Sequence, residues 1–164
     1  MKRILLAVLL LSGAMVASSS ESNEITLENT LALMNAYRAE SGLPPLHLEA
    51  KLSNAAEDRM RDMEDGGWWS HVSPEGKPPF EWIKLREYDY LYAGENLAAG
   101  YETARVLVQS WMESPGHRAN IMGAQFADCG IAIIEGSTKG PAMGKSVVVL
   151  FGRQKVSLVT VKPP

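Results

Sequence analysis

Helices come first and strands last in this 164-residue chain. That order predicts an α+β protein, a sandwich built around a mainly antiparallel sheet. Three observations carry the prediction. Apolar residues in the first two-thirds recur at three- and four-residue spacing, as one helix face requires. The last third holds short β-branched runs bounded by Gly and Lys. The two kinds of segment do not alternate, as a doubly wound parallel sheet would need.

The start of the chain stands apart from this pattern. Lys2 and Arg3 precede an apolar run from Ile4 to Leu11, and small residues follow through Ala17, Ser18 and Ser19. This is the three-part pattern of a secretory signal peptide, assigned to residues 1–19. The run is shorter than the about 20 residues of a membrane-spanning helix, so the mature chain is expected to carry no transmembrane segment. Residues 20–26 read as a linker, and residues 27–162 as a single domain. Removal of the leader leaves 14 basic against 19 acidic residues. With no basic block, nucleic acid is not an expected partner.

The first helix is expected from Leu27, with Leu31, Met34 and Tyr37 on its inner face and Gly42 as its stop. The prolines of Leu43–Leu46 make a rigid connector. In the second helix Leu48, Leu52, Ala55, Ala56, Met60 and Met63 form one apolar face, closed by Gly66 and Gly67. His47, at its start, reads as a surface or capping residue. An aromatic, proline-rich loop follows, with a short helix from near Pro79. "YAGENLAAGY" reads as a second loop. A third long helix runs from about Glu102 to Met112, with Ala104, Leu107, Val108 and Trp111 inward. Pro115 and Gly116 interrupt it before a turn carrying Asn120 and Ile121. "CGIAIIEG", "KSVVVLFG" and "KVSLVTVK" read as strands, the first two joined by a hairpin-type connection.

Cys129 is the lone cysteine, so no disulfide forms within the chain. It reads as a small buried hydrophobe, with a reactive thiol as the alternative. The chain has neither a "G-x-S-x-G" elbow nor "H-E-x-x-H". His71, Glu95 and His117 have ligand chemistry, but each also suits packing, capping or loop hydrogen bonds.

The motifs "AYRAESGLPPLHLEAKLSNAAEDRMRDM", "SHVSPEG", "GENLAAG", "WMESPGHRANIM" and "VVVLFG" occur in the order seen in the CAP superfamily, and the chain resembles its compact bacterial members without disulfides. The resemblance spans roughly Leu27 to Gly152, and "W-x-x-S-P-G-H-R-x-N" is its most specific piece. It implies an α–β–α sandwich with a cleft lined by two histidines and two acidic residues, where some members bind Zn²⁺ or another divalent cation. His71, Glu95 and His117 match three of these positions. Glu113 stands nearest the fourth, with Ser114 at the matching step. Trp69, Asn96, Ser114 and Arg118 are the candidate ligand-binding neighbours. The expected function is that of a secreted or periplasmic binding module for an apolar ligand, a lipid or sterol, or for a protein partner. The alternative is a metal-dependent hydrolase or peptidase using the same cleft.

Overall fold

The computed structural model describes residues 23–135 and 144–155. The expected leader, most of the linker, the connection at 136–143 and most of the last strand-like run lie outside the described residues.

Helix α1 (Leu27–Glu40) starts where Thr26 Oγ1 accepts the Asn29 N–H at 3.1 Å. It ends in a Schellman turn: Gly42 adopts φ +69°, and the Leu43 N–H reaches back to the Arg38 carbonyl. Its fully buried stripe is Thr30, Met34 and Arg38. Leu27, Leu31 and Tyr37, expected inside, are half-buried along its flank. The packed part of the chain starts before α1, because Ile25 is 1% exposed in the core. The C-terminal part of the expected linker therefore belongs to the domain.

Strand β1 (His47–Leu48) is two residues long. Leu48, expected on the second helix, lies here and is exposed. Helix α2 (Ala50–Gly66) is capped by Glu49, whose carboxylate accepts the Leu52 N–H at 2.9 Å. A second Schellman turn, at Gly67 with φ +67°, closes it. Helix α3 (Phe80–Leu85) follows Pro79.

The glycine-rich run expected as a loop is strand β2 (Tyr90–Tyr101), buried from Gly94 to Ala98. Gly94 serves close approach rather than turning. A Cβ on Gly94 would lie 2.7 Å from Asn120 Oδ1. Helices α4 (Ala104–Glu113) and α5 (Pro115–Ile121) share Ser114 as the end of one and the cap position of the next. Pro115 suits the first turn of α5, where no amide donor is needed. The interruption read from the sequence is thus a helix that stops and restarts.

Among the described residues, strands β3 (Asp128–Glu135) and β4 (Lys145–Gln154) complete a four-stranded sheet of order β1-β3-β4-β2. The β1–β3 pair is parallel and the others antiparallel. Central β4 alternates between two cores. Val147, Val149 and Phe151 face α1, α4 and α5, while Val148 and Leu150 face α2 and α3. This period of two on a doubly covered strand defines the α–β–α sandwich. Cys129 is a buried free thiol. Burial, then the Asp128 charge, push its pKa up to about 12, so it behaves as a small hydrophobe.

Candidate functional site

Three elements meet at the β2 end of the sheet. The face of β2 that looks toward α2 presents Glu95, and the opposite face presents Asn96. The loop after α2 carries His71, and α5 carries His117.

Glu95 is 6% exposed, and both its oxygens are engaged. Oε1 meets His71 Nδ1 at 2.7 Å. Oε2 accepts from Arg59 Nε at 3.0 Å. Arg59 projects from α2, is fully buried, and also donates Nη2 to the Ser70 carbonyl at 2.6 Å. Its guanidinium lies between the rings of Trp68 and Trp82, at 4.7 and 4.5 Å from their centroids. Its Nη1 has no hydrogen-bond partner among the described residues, so ring contacts contribute to solvating that charge. The result is a chain Arg59–Glu95–His71, ending at a side chain that is 57% exposed.

The hydrogen bond to Glu95 raises the His71 pKa above the ordinary imidazole range, against partial desolvation. The His117 pKa is lowered, chiefly by burial and secondarily by charge on His71. Charge on His71 thus opposes protonation of His117. His117 stands over the Trp111 ring with centroids 6.3 Å apart. Its helix is tied to β2 by amide side chains. Asn96 Nδ2 donates to the His117 carbonyl at 3.1 Å, and Asn120 Nδ2 donates to Asn96 Oδ1 at 2.9 Å.

Of the residues expected from the sequence, His71, Glu95 and Asn96 join one hydrogen-bonded region with the backbone of His117. Asn96 is fully buried and holds α5 through the His117 carbonyl. Trp69 is half-buried beside the second core, and Arg118 lies on the exposed side of α5. Ser114 serves the α4–α5 junction. Glu113 accepts from Gln109 Nε2 at 3.0 Å on the exposed flank of α4. Among the described residues no three His, Cys, Asp or Glu side chains gather to hold a metal ion. Glu95 already serves an arginine and a histidine, so the donors left for a divalent cation are the two imidazoles.

The sequence reading missed Arg59. The available signal was an arginine inside the apolar stripe of α2, between Ala56 and Met60. Of the other aromatics in and after the loop that carries His71, Trp82 is buried and Trp68 covers Arg59. Grooves of about 530 Å³ beside Tyr88 and about 360 Å³ along β3 do not include His71 or His117.

The fold and site define an α–β–α sandwich with a carboxylate-held histidine at one end of its sheet. The chain belongs to the cysteine-rich secretory protein family, CAP, which it matches over residues 31–150. It is 37% identical over 108 residues to the uncharacterized protein YkwD of Bacillus subtilis, across 66% of this chain and 42% of that protein. A crystal structure of an extracellular protein containing an SCP domain from Bacillus anthracis aligns with a TM-score of 0.66 and 26% identity. That match covers 77% of this chain and 40% of the other. An outer surface protein of Borrelia burgdorferi shares the fold, with a TM-score of 0.69 and 22% identity over 80% of this chain and 96% of that one. The chain thus spans less than half the length of YkwD and of the Bacillus anthracis protein.

Proposed function

We propose that this chain is an extracytoplasmic binding module, whose ligand joins an anionic or hydrogen-bonding head to an apolar body. One observation carries the reading: the 2.7 Å contact between Glu95 and His71 Nδ1. It orients an exposed imidazole from behind and leaves Nε2 for a ligand. The same contact favours the protonated ring, which suits a carboxylate or similar head. Trp69 and Phe80, half-buried nearby in sequence and packed on the same core, offer apolar contact. A place outside the cytoplasm fits the basic, apolar and small-residue order of residues 1–19. It also fits relatives described as extracellular or as outer surface proteins.

Tryptophan emission during titration with fatty acids tests the reading, with sterols as a second arm. A saturable change, reduced in Trp69→Ala and weakened in His71→Ala, is expected. A flat response to both ligand classes overturns the apolar-ligand reading.

The Glu–His pair also favours a second reading, hydrolysis, since such pairs orient general bases. Peptide and ester panels with and without chelator decide between the two. Turnover lost in Glu95→Gln would replace binding by catalysis, and chelator-sensitive turnover would assign it to a metal-dependent hydrolase. For zinc itself, the reading expects only weak uptake, through His71 and His117, measured by calorimetry above pH 7 and reduced in either His→Ala variant.

A further inference from the structure

The two lateral edges of the sheet differ. On the β2 edge, outward carbonyls are taken by side chains. Asn120 Nδ2 donates to the Glu95 carbonyl at 3.0 Å and Trp111 Nε1 to the Leu97 carbonyl at 3.2 Å. An edge blocked in this way does not add a strand there. On the opposite edge β1 covers only Asp128 and Cys129. The amides of His47 and Glu49 donate to the carbonyls of Ala127 and Cys129. Odd-numbered residues of β3 therefore turn their backbone groups away from β4, and Ile131 and Ile133 continue that alternation. Among the described residues, no backbone group meets theirs on the outer side.

A groove of about 360 Å³ runs along this stretch. Leu27 and Ile133 wall it from one layer, and Met60 and Ile134 from the other. Its rim carries Glu57, with Arg61 turned to it at 3.6 Å, and β3 ends at the exposed Glu135. A strand edge unpaired among the described residues, between apolar walls, is the geometry that receives an extended segment.

Pairing of two β3 edges with each other is obstructed. Helix α2 lies directly on β3, so that a Cβ on Gly130 would fall within the Leu52 backbone. Two such helices would stand about 5 Å apart, where packed helices need about 8–10 Å. A single extended segment meets no such obstacle. The chain contains one of fitting character: Val156–Val161, reading Val-Ser-Leu-Val-Thr-Val and followed by Lys162. Its six residues match the open stretch Gly130–Glu135, and Lys162 opposes the rim charges of Glu57 and Glu135. The described chain leads up to this segment on the far side of the sheet from the groove. Lys155 is held to Asp89 through its N–H at 2.9 Å and its Nζ at 2.8 Å, on the β2 side of β4. The groove lies two strand spacings, about 10 Å, to the other side, and no linker separates Lys155 from Val156.

We propose that the open edge of β3 receives Val156–Val161 from a second copy of this chain as an added strand. Analytical ultracentrifugation of the full chain is compared with Ile133→Pro and Leu158→Asp. Proline at 133 removes an outward donor and leaves the β4 ladder intact. Leu158→Asp alters only the donated segment. The parent is expected to self-associate in the micromolar range, at least tenfold more tightly than either variant, and a synthetic peptide of residues 155–164 should compete. Circular dichroism identifies an unfolded Ile133→Pro variant, in which case Leu158→Asp and the peptide still decide. A parent that stays monomeric, or association indifferent to Leu158→Asp and the peptide, overturns the proposal. So does a monomer in which exchange at the Ile131 and Ile133 amides is slowed by its own intact segment.

Discussion

Arg59 carries a full charge with no solvent exposure, and its carboxylate partner is Glu95. Removing one member of such a pair leaves the other buried and unpaired, at a cost of about 3–5 kcal/mol. Arg59→Met is therefore expected to lower the urea midpoint by that much, and Arg59→Lys should not restore it, because lysine lacks the planar fork between two indoles. A midpoint unchanged in Arg59→Met would show that the pair is not needed for stability. His71 offers a finer test. In Glu95→Gln its NMR titration should shift downward toward the ordinary imidazole value of about 6.5, since the hydrogen bond to Glu95 is the main cause of its elevation. The sign for stability follows from that elevation. The His71 contribution is complete below the unfolded-state pKa and fades as pH rises through the folded one. His117, whose pKa is depressed, acts oppositely and costs stability as pH falls below the unfolded value. Solvent screening keeps the His71 contribution below about 1 kcal/mol.

Elements meet here through backbone contact as much as through side chains. Gly130 lets α2 rest on β3, where any Cβ would enter the Leu52 backbone. Gly130→Ala is expected to cost about 3 kcal/mol in chemical denaturation, because a helix backbone cannot yield as a flexible side chain does. The start of α4 gives a smaller effect. Thr103 Oγ1 accepts the Val106 N–H at 3.3 Å, so Thr103→Ala should cost about 1 kcal/mol. Equal losses for these two substitutions would contradict the packing of α2 described here. The longest element misread from the sequence was β2. Its glycines carry the composition of a loop, yet Gly94 allows α5 to approach a buried strand, and Gly100 takes positive φ at an irregularity near the strand's end. Nothing local distinguishes the two uses of glycine.

At the scale of the molecule, Arg38 joins parts that are distant in the chain. It leaves α1 and donates to the carbonyls of Pro44, Ile121, Gly123 and Phe126. It thereby binds the first helix to the end of α5 and to the segment entering β3. Arg38→Met would leave several buried carbonyls unpartnered, each costing about 1–3 kcal/mol. Global unfolding should then occur at markedly lower denaturant, with no separate early transition of α1. A distinct early transition would mean that the two helical layers do not unfold as one unit.

The sequence by itself determined the α+β class, the helix stops at Gly42 and Gly67, the inward face of α4 and the three residue types with site chemistry. Each of these is a local pattern, since helix periodicity, capping and composition act within a few residues. Only the tertiary structure decided that Glu95 faces Arg59 and His71, that Glu113 bonds within its own helix, and that Asn96 and Asn120 hold α5 to the sheet. A carboxylate can accept from an arginine, orient a histidine or bind a metal, and the choice depends on partners 24 and 36 residues away. That choice is made by how two helical layers close over a sheet, and no spacing along the chain records it.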